Sequence, residues 1–289
     1  MKSVNNLPGI LGLVAALSLP LAAQWPPYPT RDVPRTADGK PELTAPAPRT
    51  ADGKPDLSGL WNYAGILGFR GRPPDPPPGT PPEATFWNIE AGFKDGLPFQ
   101  PWAAELRKQR MAANSADNPD AACLPLGYMQ LHTHSQPRRI VQTKNLIVII
   151  YEANAGVRQI FLDGRPAPDN DPQPWWFGYA RGWWEGDTLV VETTNFRDDG
   201  WLDVNGAPLT SEGKLIERFR RPNFGRLEID VTIDDPKAYT QPFTATVNNR
   251  LLPDSQLIEF QCVNNRAAQH YGTGNPTPDA VSKEQQQGR

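Results

Sequence analysis

From residue 138 onward, apolar and polar positions alternate along the chain with a period of two, which is typical of half-buried β-strands. In RLEIDVTID (226–234), for example, every second residue is leucine, isoleucine or valine. Short turn sequences separate about eight such segments. Consecutive strands with one apolar face curl to bury that face, so the pattern predicts an all-β fold, an antiparallel meander that forms a barrel or a strongly curved sheet.

One segment before these strands has helical character. PWAAELRKQRMAA (101–113) begins with proline, consists of good helix formers and lacks β-branched residues, so it predicts one short helix. At the other end of the strand region, PFTATVNNRLL (242–252) and QLIEFQCV (256–263) are predicted to be the last two strands.

Residues 1–23 have the composition of a secretory signal peptide. Lys2 is their single charge, the run 10–21 is mainly apolar, and two alanines precede a more polar stretch. This predicts cleavage near Gln24 and an exported protein, either periplasmic or secreted. No later segment is apolar enough to cross a bilayer, so no transmembrane span is expected.

The rest of the chain divides by composition into three parts. Residues 24–82 contain 15 of the 33 prolines and repeat PRTADGKPEL (34–43) as PRTADGKPDL (48–57). Proline at this density predicts an extended strap that lies over the core. Residues 83–271 hold the helix and the strands and are predicted to be the barrel domain. The tail, 272–289, has no apolar face and is predicted to be disordered.

The chain has two cysteines, Cys123 and Cys262. An even pair in an exported protein predicts a disulfide, because oxidising compartments preserve such bonds. Two buried free thiols are the alternative. The bridge would close a loop of about 140 residues, for which chain entropy gives roughly 4–5 kcal/mol at most.

Several motifs of the chain resemble those of a known family. They are PRTADGKPDLSGLW, CLPLG, IVQTKNLIVIIYEAN, RQIFLDGRP, GWWEGDTLVVETTNF, IERFRR and VTIDDPKAYTQPF, and they cover nearly the whole mature chain. In these motifs the chain is similar to a large family of exported, mostly uncharacterised bacterial proteins. The resemblance implies export and a β-rich fold, and it implies no established reaction.

Two of the three histidines, His132 and His134, stand two residues apart in LHTHSQP (131–137). On a strand, residues at this spacing share a face, so both imidazoles could bind one divalent metal with a third ligand such as His270 or Glu152. The following proline favours a loop, and two partly exposed loop histidines without a metal are the alternative. The sequence indicates no other cofactor.

Charged residues cluster in the hairpin predicted for 146–152 and 157–163. Glu152, Arg158 and Asp163 are the candidate catalytic residues, because the end of one strand lies beside the start of the next. Carboxylates in unequal environments provide an acid and a base, and a nearby arginine can hold an anionic substrate. Turn formation and a solvated surface are the alternative roles.

A later strand, KLIERFRR (214–221), also carries charge. Glu217 alternates in step with Leu215 and Phe219, yet charged residues are seldom fully buried. Glu217, Arg218 and Arg220 are therefore interpreted as a solvated strand face.

Aromatic residues crowd into the stretch between residues 175 and 201. Trp176, Tyr179, Trp184 and Trp201 are the candidate ligand-binding residues. Rings inside a closed barrel could line a pocket for a flat apolar or sugar-like ligand. Core packing is the alternative for each of them.

Several classes of protein are excluded by missing motifs or by charge. The sequence has no glycine-rich phosphate loop, no Gly-x-Ser-x-Gly, no His-Glu-x-x-His and no Cys-x-x-Cys. This argues against nucleotide enzymes, serine esterases of the common fold and zinc proteases. A formal net charge of −3 gives no electrostatic footprint for nucleic acid.

Two functions from different classes remain. The first is binding of a small apolar or aromatic ligand by an exported, calycin-like (lipocalin-like) barrel. The second is an exported hydrolase, lyase or isomerase with carboxylate acid–base chemistry at the barrel mouth. A metal-dependent enzyme that uses His132 and His134 is a further alternative. The sequence favours binding, because none of its catalytic constellations is sharply defined, and it leaves the oligomeric state open.

Overall fold

A closed barrel dominates the computed structural model of the chain. The structure describes residues 29–65, 79–168, 175–260 and 262. The predicted signal peptide and the predicted disordered tail lie outside these residues. The strands of the described residues are β1 (Gly59–Tyr63), β2 (Arg138–Gln142), β3 (Leu146–Tyr151), β4 (Val157–Phe161), β5 (Tyr179–Glu185), β6 (Thr188–Thr194), β7 (Gly200–Trp201), β8 (Pro208–Leu209), β9 (Lys214–Asn223), β10 (Arg226–Asp234) and β11 (Phe243–Leu251).

Nine strands follow one another around the barrel in the order β1-β11-β10-β9-β6-β5-β4-β3-β2, and β1 pairs with β2 to close it. This confirms the all-β barrel that the alternating pattern predicts. The pairing is antiparallel except between β4 and β5, where Ile160 lies opposite Ala180 in a parallel arrangement. A parallel pair needs a crossover connection that runs back along the sheet between the end of one strand and the start of the next. β4 ends at Phe161 and β5 begins at Tyr179, which leaves enough chain for such a connection. The strands β7 and β8 form a separate two-stranded ribbon.

Side chains from alternate strand positions fill the interior of the barrel. On β10, four inward residues are each at most 1 % exposed: Leu227, Ile229, Val231 and Ile233. Burial of one such side chain contributes about 1.5–3 kcal/mol relative to exposure. The period-two pattern of this strand therefore places the hydrophobic core inside the barrel.

Two α-helices occur in the described residues. The first, α1 (Pro101–Ala112), agrees with the helix predicted for 101–113. It begins at a proline, which has no backbone N–H, and the first residue of a helix does not need one because that group has no partner within the helix. The second, α2 (Tyr128–Thr133), is a short helix in a segment that Pro137 led us to expect as a loop, and all six of its residues are buried. Among the residues described, no helix is long and apolar enough to span a membrane.

The two copies of the repeat fold into the same tight loop. In the first copy Thr36 N donates to Lys40 O at 2.9 Å, and in the second Thr50 N donates to Lys54 O at 2.9 Å. In both loops the threonine hydroxyl also donates to the aspartate two residues later. An identical sequence thus produces an identical local structure at two places on the surface.

Each repeat loop is fastened to the rest of the molecule by its own arginine. Arg35 pairs with Asp254 at 2.6 Å, and Arg49 pairs with Asp187 at 2.6 Å. Asp254 lies in the turn after β11, and Asp187 lies in the turn between β5 and β6. The repeat therefore serves as a pair of clips that attach the proline-rich segment to two different turns.

Two segments differ from what the sequence predicts. Residues 59–63 form β1 and close the barrel, although they lie within the proline-rich tract 24–82. The strand predicted for 256–263 is wrong for its described part, since residues 256–260 have no strand structure. The sheet leaves no edge for another strand, because β1 already pairs with β11.

Cys123 and Cys262 form a disulfide, with a Cα–Cα distance of 5.5 Å. This confirms the predicted bridge and excludes the alternative of two free thiols. The bond joins the loop that precedes α2 to the segment that follows β11. It thus links two parts of the chain that are separated by 139 positions in sequence.

Candidate functional site

A group of polar side chains lies buried inside the barrel. Arg158 on β4, Thr193 on β6 and Glu217 on β9 occupy inward positions of their strands. Tyr128 and His132 reach them from α2. Each of the five residues is at most 2 % exposed. We call these five residues the interior cluster.

Glu217 is the centre of the interior cluster. The Arg158 guanidinium donates to both oxygens of its carboxylate, to Oε1 at 3.0 Å and also to Oε2. The Tyr128 hydroxyl donates to Oε2 at 2.9 Å, and His132 Nε2 lies 3.0 Å from Oε1. Arg158 donates in addition to Thr193 Oγ1 at 3.0 Å. The buried carboxylate therefore has the partners that a charge needs when it is removed from water.

The charges of the interior cluster follow from burial and from these contacts. Burial by itself would raise the pKa of Glu217, but the Arg158 guanidinium and the hydrogen bond from His132 outweigh it and hold the pKa at about 2. Burial lowers the pKa of His132 and raises the pKa of Tyr128 well above its usual value. At neutral pH the cluster therefore combines a carboxylate and a guanidinium with a neutral imidazole and a neutral phenol.

Arg138 holds helix α2 in place through hydrogen bonds to backbone carbonyls of its C-terminal turn. Arg138 on β2 is buried, and its guanidinium donates to Leu131 O at 3.2 Å and to His132 O at 2.8 Å. A cation at this end also interacts favourably with the helix dipole. Arg138 therefore fixes the helix that carries two members of the interior cluster.

One ring nitrogen of His132, Nδ1, makes no hydrogen bond with the other residues of the interior cluster. Because its Nε2–H donates to Glu217, Nδ1 carries a free lone pair in the neutral ring. Nδ1 is buried and has no hydrogen-bond partner among the residues that the structure describes. Such a nitrogen is a potential proton acceptor.

A small pocket lies beside the interior cluster, with Tyr128 in its wall. Its lining includes Trp176, Phe196, Arg197 and Trp201, and its volume is about 10 Å³, which is enough for about one water molecule. The Arg197 guanidinium lies 4.3 Å from the ring centre of Trp176, and Tyr128 packs edge-on against Phe196 at 5.5 Å. Two of the four predicted ligand-binding residues therefore meet at one pocket.

The other two predicted ligand-binding residues, Tyr179 and Trp184, lie elsewhere. The ring of Tyr179 stacks on that of Phe161 at 5.2 Å. Trp184 is half-buried and packs against the core. Both residues are on β5 at positions of opposite parity, and such positions face opposite sides of a sheet. The four predicted aromatic residues therefore do not line a common pocket.

The three predicted catalytic residues have different surroundings. Arg158 belongs to the interior cluster. Glu152 is buried next to the segment after β11, where its Oε2 accepts from Ile258 N at 3.1 Å. Asp163 is exposed and binds the arginine two residues later. Within the hairpin, Arg158 lies opposite Ile149 rather than beside Glu152, so the three side chains do not converge.

The two histidines of the sequence motif also point to different places. His132 is buried in the interior cluster, so the expectation of two partly exposed loop histidines is wrong for it. His134 is half-buried, and its Nδ1 accepts from Gln136 N at 3.0 Å while its ring packs edge-on against Phe86. The described part of the chain has no group of three or more His, Cys, Asp or Glu residues arranged for a metal ion. His270 lies outside that part, and a metal site at the histidines stays a prediction.

Glu217, Tyr128 and Thr193 are the members of the interior cluster that sequence reasoning did not propose as site residues. The interpretation of Glu217 as a solvated residue is wrong, because its exposed fraction is 0 %. Its alternation with Leu215 and Phe219 was the available signal, since all three share the inward face of β9. Tyr128 offered no comparable signal, because a six-residue helix depends on tertiary packing for its position.

Comparisons of the chain with protein-family models, with curated proteins and with solved structures found no match. The family resemblance of its motifs therefore stays a prediction. The interior cluster and the pocket beside it are the structural basis on which a function can be assigned.

Proposed function

We propose that the chain is an exported β-barrel protein that binds a small apolar or aromatic ligand. The observation that carries this proposal is the pocket at which Trp176, Trp201 and Tyr128 meet. Phe196 also lines this space. Four aromatic residues around one space favour a flat apolar group, because the faces and edges of their rings offer a large contact area. The disulfide between Cys123 and Cys262 supports export, since such bonds persist in oxidising compartments.

The size of the pocket limits what part of a ligand enters it. A volume of about 10 Å³ admits the edge of a ring or a small substituent rather than a whole ring. The rest of the ligand would lie over the half-buried ring of Trp176 and the aliphatic part of Arg197. A small molecule with one flat apolar end fits this description.

The interior cluster supports binding by giving the pocket a fixed wall. The Tyr128 ring lines the pocket, and its hydroxyl is held by Glu217 at 2.9 Å. Glu217, Arg158 and His132 are not among the lining residues. Tyr128 therefore stands between the charged groups and a bound ligand, which favours binding over catalysis by the ion pair.

Acid–base catalysis by His132 is the second candidate function. One observation favours it: Nδ1 of a buried neutral imidazole lacks a partner among the described residues, while Nε2 is oriented by Glu217. An imidazole held by a carboxylate is a common arrangement for a general base. A substrate would have to reach Nδ1 through a rearrangement of α2, and a hydrolase, lyase or isomerase would each fit.

Mass spectrometry of small molecules extracted from the purified chain is the direct test for a bound ligand. Calorimetric titration with indole then probes the pocket. Trp176→Ala should weaken indole binding by about tenfold or more, as the loss of a central aromatic contact does in other binding sites. Trp183→Ala is the matched control, because Trp183 is 44 % exposed on β5 and does not line the pocket, and it should leave the affinity unchanged.

The outcomes separate the two candidate functions. No indole binding, or equal affinities in Trp176→Ala and Trp183→Ala, would contradict binding at this pocket. If His132→Gln abolished turnover of an extracted compound while Trp176→Ala left its binding unchanged, the second candidate would replace the first.

A further inference from the structure

A second cavity lies where the proline-rich segment crosses one end of the barrel. Its walls come from residues 30–33, from the paired strands β1 and β2, and from residues 251–255. Its volume is about 260 Å³. Arg139 on β2 also lines an adjoining cavity of about 390 Å³. We call the first of these cavities the strap groove.

Two arginines of the strap groove have no partner. The guanidinium groups of Arg31 and Arg139 make no hydrogen bond or ion pair within the part of the chain that the structure describes. The other described arginines each have at least one interaction. Arg139 is half-buried, and its guanidinium pairs with no carboxylate of the described residues. A planar guanidinium in this state is suited to binding a carboxylate with two hydrogen bonds.

A third arginine, Arg221, adds to the positive charge of the groove. It is buried, and its guanidinium donates to the backbone carbonyls of Asp56, Ser58 and Phe224 rather than to a carboxylate. Burial lowers its pKa to about 10, so it remains charged at neutral pH. The lining contains two carboxylates, those of Asp32 and Asp56, so positive groups outnumber negative ones.

The remaining walls of the strap groove are apolar and its rim is fixed. Leu60, Phe224 and Leu251 line it, and each is at most 8 % exposed. At the rim Thr30 N donates to Asp254 Oδ1 at 2.7 Å, and Asp254 N donates to Thr30 Oγ1 at 2.9 Å. These two hydrogen bonds fix residue 30 against residue 254. Because the cavity is formed in advance, little conformational entropy is lost in ordering its walls when a ligand binds.

We propose that the strap groove binds a small organic anion, specifically a monocarboxylate with an apolar body. The carboxylate accepts hydrogen bonds from Arg139 and Arg31, and the apolar body lies against Leu60 and Leu251. The groove shares no lining residue with the pocket beside Tyr128. The proposal therefore does not depend on ligand binding at that pocket.

Calorimetric titration of the full chain with octanoate tests this site. Arg139→Gln removes the charge and should weaken octanoate binding by about tenfold or more, the loss expected for a hydrogen bond to a charged group. Arg218→Gln is the matched control, because Arg218 binds Glu185 and does not line the groove, and it should leave the affinity unchanged. Octanol and inorganic phosphate should each bind more weakly than octanoate, because octanol lacks the anionic group and phosphate lacks the apolar body.

Several results would overturn the proposal. These are no octanoate binding, equal octanoate affinity in Arg139→Gln and the unaltered chain, or octanol or phosphate binding as tightly as octanoate. Circular dichroism shows whether Arg139→Gln is folded. If it is not, Arg31→Gln takes its place, because Arg31 is exposed and its substitution removes the second unpartnered charge without disturbing the barrel.

Discussion

Glu217 and Arg158 form an ion pair across the interior of the barrel, although their strands are not neighbours in the sheet. β9 is flanked by β6 and β10, while β4 is flanked by β3 and β5. The pair therefore connects two parts of the barrel wall that backbone hydrogen bonds do not join. Both side chains are at most 2 % exposed, so neither charge is solvated if its partner is lost.

Glu217→Gln should strongly destabilise the fold, because it leaves the Arg158 guanidinium buried without a counter-charge. The expected loss in the free energy of unfolding is about 3–5 kcal/mol, the range for breaking one side of a buried ion pair. Urea denaturation followed by circular dichroism measures it. Glu185→Gln is the control, since it breaks the exposed pair of Glu185 with Arg218, and exposed pairs contribute little. A loss of the same size in both variants would show that the interior pair has no special role.

The stability of the chain should fall at acid pH in a defined window. The pKa of Glu217 is lowered from 4.5 to about 2 by its partners. The unfolded chain therefore binds the proton first, and the contribution of Glu217 is complete above about pH 4.5 and is lost as the pH falls toward 2. Its full size is on the order of 3 kcal/mol.

Urea midpoints recorded between pH 7 and pH 2.5 would measure this contribution. Glu217→Gln has no carboxylate at this position, so its curve should be flatter between pH 4.5 and pH 2.5 than that of the unaltered chain. Curves of equal slope in this window would mean that Glu217 is not held ionised by its surroundings.

The architecture could be predicted because the strands carry local information. Alternation marks β9 and β10 as strands with one apolar face, and β3 and β4 are correctly expected as a hairpin. The helix α1 is likewise encoded locally by its proline and its helix formers. The position of β1 was harder to recognise, because a five-residue strand in a proline-rich tract has little pattern of its own.

The site could be predicted only in part, because its contacts join distant segments. Arg158 was a candidate, but the carboxylates near it in sequence are Asp163 and Glu152, whereas the barrel supplies Glu217 from 59 positions away. The alternation of Glu217 with apolar residues indicated that it lies on the inward face of β9, but nothing in the sequence indicates that a cation lies opposite it. That information arises only when the sheet closes, since closure brings β4 and β9 to face each other.

The two arginine clips should hold the proline-rich segment without contributing much to global stability. In the double variant Arg35→Gln and Arg49→Gln, limited proteolysis within residues 29–58 should be faster, because the repeat loops lose their attachment to Asp254 and Asp187. The urea midpoint should change little, since exposed ion pairs contribute little.

Arg165→Gln serves as the control for the clip variant, because its exposed pair with Asp163 lies outside the proline-rich segment. It should leave the rate of proteolysis unchanged. Equal rates in the clip variant and in this control would show that the repeat does not attach the segment to the barrel.

Removal of the disulfide should lower stability through the unfolded state. The double variant Cys123→Ser and Cys262→Ser opens a loop of 139 positions, and the expected loss is about 2–5 kcal/mol in the free energy of unfolding. Urea denaturation of this variant and of the oxidised chain measures the difference. The oxidised chain treated with a reductant should behave as the variant does, and a variant as stable as the oxidised chain would contradict the prediction.

Tyr128→Phe should reveal how strongly the interior cluster supports the aromatic pocket. The substitution keeps the ring that lines the pocket and removes the hydroxyl that donates to Glu217 at 2.9 Å. A hydrogen bond to a charged acceptor contributes about 1.5–3 kcal/mol, and the free energy of unfolding should fall by that amount. Indole affinity should fall less than in Trp176→Ala, because the contact surface of the ring remains.

Tyr239→Phe is the matched control for this last prediction. Tyr239 is also buried, but its hydroxyl donates to a neutral acceptor, Pro208 O, at 2.8 Å. A neutral hydrogen bond contributes about 0.5–1.5 kcal/mol, so this variant should lose less stability than Tyr128→Phe and should bind indole as the unaltered chain does. Both variants remove one oxygen from a buried ring, so the difference between them isolates the charge of Glu217. If Tyr239→Phe were the more destabilising of the two, the Glu217 carboxylate would not be the partner that fixes the wall of the pocket.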